Sequence, residues 1–324
     1  MCHYAHTIKG SILKTLAFTL LFFTSFICVS KELPSKFENN LIYLNPKLND
    51  GTTVLFFTDT GGGWNAISKE LSDKYQWKLE SRQAGNDTIE VTEMPSFDKS
   101  AWIPKAGLNN WWAGQLQVVP IKELSKTKHH DGTLGGRWHA EKVIDFNYPD
   151  KSIAILLEAP SGDNFSKVQL GFQKNQAGNY TMAFPSIDIS VEGKIIPMLL
   201  DTGASAWPSK EALSQLDISG EQVATSFIIA SIFDDWVKSH PEWTVVDKAC
   251  LLSKQPMIRV PQVKIAGNVV GPVWFTRRDD HNFHQYMSSM MDRQIDGALG
   301  GSALKYLRII VDYPNEQALV ESDK

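Results

Sequence analysis

Ile195-Ile196-Pro197-Met198-Leu199-Leu200-Asp201-Thr202-Gly203-Ala204-Ser205 is the stretch on which the reading of the chain turns. An apolar run of strand length meets an acid, a hydroxyl and a glycine in immediate succession. The glycine admits a sharp turn, so the aspartate is held at its apex, and Thr202 is placed to lock the turn by bonding to backbone. A carboxylate fixed at the end of a buried strand is costly unless something compensates it. Taken alone, the triplet is an ordinary strand-ending turn.

It does not stand alone. Val54-Leu55-Phe56-Phe57-Thr58-Asp59-Thr60-Gly61-Gly62-Gly63 repeats the pattern in the first half of the chain. At average residue usage a given tripeptide arises by chance in fewer than about one in ten chains of this size. Each copy is followed by a second shared block. Asp131-Gly132-Thr133-Leu134-Gly135-Gly136 leads to Val143-Ile144-Asp145-Phe146 and Pro149, and Asp296-Gly297-Ala298-Leu299-Gly300-Gly301 leads to Ile309-Ile310-Val311-Asp312-Tyr313-Pro314. The same landmarks in the same order predict a duplicated unit.

This arrangement resembles the aspartic proteases of the retropepsin-like and pepsin-like superfamily. In that family each lobe contributes one Asp-Thr-Gly loop, and a later apolar pair followed by glycine threads behind it. Thr133-Leu134-Gly135 and Ala298-Leu299-Gly300 match the second motif, with Thr133 departing from the apolar preference. The resemblance implies a mostly β, bilobal acid-protease fold, with two related β-barrel-like lobes around a central cleft. It implies Asp59 and Asp201 as the catalytic pair, activating a water against a peptide bond, with Thr60, Gly61, Thr202 and Gly203 supporting the loops. No cofactor and no metal are implied, the substrate is a peptide or protein, and a monomer suffices because both aspartates lie in one chain. A cleft that binds peptide without cleaving it is the alternative on the same fold. Neither loop carries serine after its glycine: Gly62 and Ala204 stand there, the latter resembling retroviral-type enzymes. Fewer hydrogen bonds to the anion raise a carboxyl pKa, so the pH optimum is expected at roughly 5 to 6.

The 324 residues, 43% hydrophobic and 21% charged, suffice for two cores, each of roughly 130 to 160 residues. We divide the chain into residues 1–30, 31–160 and 161–324. Lys9 and Lys14 precede an uncharged, mostly apolar run from Thr15 to Ser30, the layout of a secretory signal, with Cys28 and Ser30 as small residues before a cleavage point. A secreted or periplasmic protein is expected; left uncleaved, the segment would be a membrane anchor. Cys2 and Cys28 fall within it, so Cys250 remains without an internal partner and is read as a small buried apolar residue.

In the first half, Leu41–Leu44 and Thr53–Phe57 around Asn49-Asp50-Gly51 predict a hairpin, and Ala66–Tyr75 has helical character. Between Lys78 and His130, a tract with Trp102, Trp111 and Trp112 predicts short strands, one of them a candidate flap. The polar segment from Ala159 to Asn164 marks the boundary between lobes. Beyond it, Val168–Phe172, Tyr180–Phe184 and Ile187–Val191 read as strands, with a turn at Glu192-Gly193-Lys194. Phe227–Val237 reads as an inserted helix, Met257–Phe275 as a hairpin around Gly267-Asn268, and Tyr286–Met291 as a flexible methionine cluster for cleft or core.

Other chemistries are disfavoured. A net charge of −4 with no basic stripe argues against nucleic acid. His129-His130 and His139 lack metal-ligand spacing and read as solvated loop residues. Gly301-Ser302-Ala303 lacks the second glycine of a nucleophile elbow, and Gly297-x-x-Gly300-Gly301 has the wrong spacing for a dinucleotide loop.

Overall fold

Runs of Ile, Val, Leu and Phe interrupted by turn residues build strands rather than helices here, because such side chains pack best on a pleated surface. The computed structural model describes residues 30–106, 114–124, 130–162, 164–216 and 220–322. Most of the expected signal segment, together with Trp111, Trp112 and His129, lies outside the described residues. No helix among the described residues is long and apolar enough to cross a membrane.

Three large sheets carry the fold. The first has the spatial order Ser35–Glu38, Leu41–Leu44, Phe56–Thr58, Gly132–Leu134, Asn65–Ser68, Gln115–Val119, Asp87–Glu93, Leu79–Ala84. The second runs Val245–Val246, Met257–Val260, Val273–Arg278, Ser226–Ile229, Gly297–Leu299, Lys194–Leu200, Ser186–Val191, Val263–Ile265, Asn268–Val270. The first therefore draws only on the first half of the chain and the second only on the second half. Both are open, ending in edge strands rather than closing on themselves.

The third sheet joins the halves: Ser30–Glu32, Ser152–Leu156, Val143–Asn147, Leu307–Asp312, Gln317–Ser322, Ser166–Gln169. At its centre Val143 pairs with Asp312, Asp145 with Ile310 and Asn147 with Arg308, antiparallel. The Asp-Gly-x-Leu-Gly-Gly blocks and the Tyr-Pro pairs that follow them are in one constant register, so Asp145 and Ile310 occupy equivalent places. A residue pairing with its own repeat equivalent puts a pseudo-twofold axis between those strands. One apolar cluster runs through both halves, from Leu33 and Phe56 to Leu299 and Tyr313, and each fully buried side chain of this size contributes about 1.5–3 kcal/mol.

The hairpin into the first loop is present, with Tyr43 opposite Phe57 and Leu44 opposite Phe56. The turn before the second-loop strand has φ of 51° at Glu192 and 83° at Gly193, the two positive values that match hairpin twist. Met257–Val260 pairs with Val273–Arg278, and Val263–Ile265 with Asn268–Val270 at its tip. Met291 is buried, and Met287 and Met290 pack on the core. Cys250 is a free buried thiol.

Four expectations need correction. The helix expected over Ala66–Tyr75 is confined to Lys69–Tyr75, because Asn65–Ser68 is a buried strand and Ser68 Oγ caps the helix by accepting from Leu71 N–H. Tyr180–Phe184 forms no strand; Ala183 takes φ 58° as the chain bends over the first loop. Phe227–Val237 is the strand Ser226–Ile229 followed by the helix Ala230–Ser239, the counterpart of Asn65–Ser68 and Lys69–Tyr75 rather than an insertion. His130 and His139 are buried, the first stacked 5.4 Å from Phe57, the second where the other half has Leu304.

Candidate active site

Both Asp-Thr-Gly loops leave the same place in equivalent sheets. Phe56–Thr58 runs parallel to Gly132–Leu134, with Thr58 beside Leu134, and Lys194–Leu200 runs parallel to Gly297–Leu299, with Leu200 beside Leu299. The chain then turns, and Asp59 N–H donates to Leu134 O at 3.0 Å while Asp201 N–H donates to Leu299 O at 3.0 Å. The apolar-apolar-glycine motif is thus the strand that anchors each aspartate's backbone.

The loops are bolted together through their threonines. Thr60 N–H donates to Thr202 Oγ1 at 3.2 Å and Thr202 N–H donates to Thr60 Oγ1 at 2.9 Å. The Thr60 hydroxyl donates to Leu200 O at 2.7 Å and the Thr202 hydroxyl to Thr58 O at 3.3 Å. Both side chains are buried, so the low dielectric strengthens these bonds and makes a lost partner expensive.

The glycines let the two carboxyls approach. A Cβ on Gly61 would fall 2.7 Å from the Asp201 carboxyl carbon, and one on Gly203 would fall 2.4 Å from that of Asp59. Each acid therefore rests on the other loop's glycine, and the two side chains hydrogen-bond each other. Gly62 has a different reason: its Cβ would lie 2.6 Å from Asp59 Oδ2. With that space empty, the Asp59 carboxylate lies over the Gly61–Gly62 backbone, whose amides pull its pKa down. Gly203 N–H donates to Asp201 Oδ1 at 2.9 Å.

Both aspartates are half-buried, each keeping a face open to solvent. Burial raises the Asp59 pKa, opposed by hydrogen bonds from Asp201 and the two glycine amides. Burial together with the neighbouring Asp59 charge pushes Asp201 well above the ordinary carboxyl range. Two carboxyls this close hold one proton between them, and that titration belongs to the pair rather than to either residue. The buried Tyr148 phenol is held protonated by burial and then by the Asp201 charge.

Side chains that sequence reasoning missed hold the loops from behind. Gly135 N–H donates to Asn65 Oδ1 at 2.9 Å, and Gly300 N–H to Ser226 Oγ at 3.1 Å. A polar residue opening an otherwise apolar strand is the signal that could have found both. Gly136 N–H donates to Gly62 O at 2.9 Å. Gly63 lies against Met182, whose methyl carbon would be 2.8 Å from a Cβ there, and Arg137 reaches from behind Gly136 to Thr181 O and Met182 Sδ at 3.3 and 3.2 Å. In the second half residues 205–224 stand where the first has Gly63 alone, since Trp64 O and Thr225 O occupy equivalent places against Gly135 and Gly300.

Among the described residues, no group of three or more His, Cys, Asp or Glu side chains is placed to hold a metal ion. A cavity of about 630 Å³ between Asn49, Trp77 and Met94 has no lining residue from either loop.

No protein family and no curated protein sequence matches this chain. Solved structures with a similar chain course include the aspartic proteinase from Irpex lacteus, at TM-score 0.47 and 11% identity over 91% of this chain and 98% of that one. Basic 7S globulin from soybean has TM-score 0.48 and 11% identity, over 92% and 95% of the two chains. Conglutin gamma, a basic 7S globulin from lupine seeds, has TM-score 0.46 and 11% identity, over 92% and 96%.

Proposed function

We propose that this chain is an exported aspartic endopeptidase, with residues 31–160 and 161–324 as its two lobes and Asp59 and Asp201 as its catalytic pair. The observation that carries the reading is the reciprocal packing of each carboxyl on the other loop's glycine. A binding surface has no need of two like charges in contact, whose repulsion costs several kcal/mol at about 3 Å and an effective dielectric of about 20.

With one proton for two carboxyls, one acid is ionised and the other protonated, and we take Asp59 as the ionised member. Asp59, ionised, takes a proton from the attacking water. Asp201, protonated, donates its hydrogen to the peptide carbonyl oxygen as the new C–O bond forms, giving a neutral geminal diol. Asp59 then passes its proton to the peptide nitrogen, the C–N bond breaks, and one diol hydroxyl returns its proton to Asp201. The pair ends as it began, and no metal or cofactor enters any step.

The test is digestion of a mixed peptide library by the purified protein, read by mass spectrometry across pH, beside Asp59→Asn and Asp201→Asn. Wild type should cleave with a bell-shaped profile on the acid side of neutral, unaffected by chelator, and both variants should be inactive but folded. Binding of peptides with no cleavage at any pH would support the non-catalytic alternative. Full activity in Asp59→Asn would remove the first loop from the mechanism.

A further inference from the structure

His139 stands in the last turn of the short helix Gly136–His139, directly behind the first loop. Its side chain is wholly enclosed, with the Trp138 ring 5.0 Å away, Phe146 at 6.2 Å and Tyr313 stacked at 6.4 Å. Nδ1 lies 2.8 Å from Gly135 O, a carbonyl that can only accept, so that nitrogen carries the hydrogen. Nε2 is buried and has no hydrogen-bond partner. The equivalent residue in the second half, Leu304, fills the same slot with an apolar side chain and leaves Gly300 O to backbone donors alone.

We infer that His139 is a positioning residue for the first Asp-Thr-Gly loop, and that its protonation sets an acid limit below which that loop loses its support. The connection is short. His139 holds Gly135, whose own N–H holds Asn65; Gly136 N–H holds the Gly62 carbonyl; and Gly62, whose own N–H donates to the Asp59 carbonyl, gives the Asp59 carboxylate its space. A second proton on the imidazole would create an N–H at Nε2 facing aromatic rings and a charge in an apolar cage.

The charged and titratable groups around the ring do nothing to relieve this. Lys142, folded back onto the Trp138 and Ala140 carbonyls, repels an imidazolium. The stacked Tyr313 phenol is buried and stays protonated, and Tyr180 beyond it is engaged with Glu316. Arg137, two positions away, turns to Thr181 and Met182. Among the described residues no carboxylate forms an ion pair with His139. Burial accordingly lowers its pKa to about 3.

The assignment rests on the proposed function only for its effect on cleavage, so it is tested first without activity. Histidine-labelled protein, followed by nitrogen NMR from pH 7 downward, should show His139 neutral with its proton on Nδ1 until the native spectrum collapses as a whole. A reversible titration of His139 near its ordinary value with the native spectrum intact would overturn the inference, as would a proton on Nε2. In His139→Gln, which keeps a donor for Gly135 O but cannot become charged, the acid midpoint of tryptophan fluorescence should fall by at least about one pH unit. His139→Leu, the residue of the other half, should show the same fall. Cleavage after acid exposure, where the protein cleaves, should track these midpoints, with kcat at the optimum kept in the glutamine variant and reduced in the leucine one. Midpoints unchanged in both variants would overturn the inference whether or not the protein cleaves peptides.

Discussion

At Gly62 a single missing carbon decides how Asp59 is held. A serine there would put its Cβ 2.6 Å from Asp59 Oδ2, closer than any unstrained contact. Gly62→Ser should therefore turn the carboxyl away from the Gly61 and Gly62 amides and lower kcat/KM at least about tenfold, read in the same peptide assay. At the second loop, Asp201 has its pKa raised by burial and by Asp59. A carboxyl whose folded pKa lies above its unfolded one favours folding while protonated and loses that contribution as pH climbs above the ordinary carboxylate range. Asp201→Asn should consequently melt higher than wild type at pH 7 and show no such gain near pH 3, by thermal denaturation at the two values.

The element that matters most is the pair of loops bolted by Thr60 and Thr202. Thr60→Val keeps the shape but strands the Thr202 N–H and the Leu200 carbonyl in a buried site. The cost should be about 1–3 kcal/mol for each unsatisfied group, measured by denaturant unfolding, with cleavage lost more steeply than stability because the carboxyl geometry goes with it. Behind the first loop, the Gly136–His139 helix works in the opposite pH direction from Asp201. Its buried histidine takes up a proton less readily folded than unfolded, so stability is whole above pH 6.5 and drains away as pH falls toward about 3. Once His139 is fully protonated the penalty is roughly 4–5 kcal/mol. One group penalises pH above the ordinary carboxylate range and the other pH below about 6.5, so the two offset each other at weakly acid pH and stability falls on either side.

For the whole molecule, the joint is the sheet that pairs Val143–Asn147 with Leu307–Asp312. Next to its pseudo-axis, Arg308 grips Asp145 with Nε at 3.1 Å from both carboxylate oxygens and Nη2 at 2.7 Å from one. Asp145 is buried while the Arg308 side chain is 35% exposed, so water offsets part of the loss when the cation is removed. Arg308→Ala should cost about 1–3 kcal/mol in chemical unfolding. If the two halves unfold as one unit through this sheet, a single transition should persist at a lower midpoint; separate transitions would show that the joint had been uncoupled.

Strand periodicity and the doubled Asp-Thr-Gly and Asp-Gly-x-Leu-Gly-Gly blocks made the mostly β, two-half architecture legible before any coordinates, because those signals are local: an apolar run, a turn, a glycine. The same blocks named Asp59, Asp201 and the threonines and glycines beside them, and the structure brings these residues together. Tertiary structure alone decided the rest. Asn65–Ser68 is a strand and not a helical turn because it is flanked by two other strands, a fact absent from its own residues. His139 read as solvated because histidine usually is, yet the repeat register puts it in a leucine's slot. Gly62 looked like one more turn glycine until the carboxylate lying over it showed what the missing Cβ leaves room for. Sequence reports what each residue can do, whereas burial and hydrogen-bond partners depend on which distant segments arrive beside it, and that is settled only when the chain has packed.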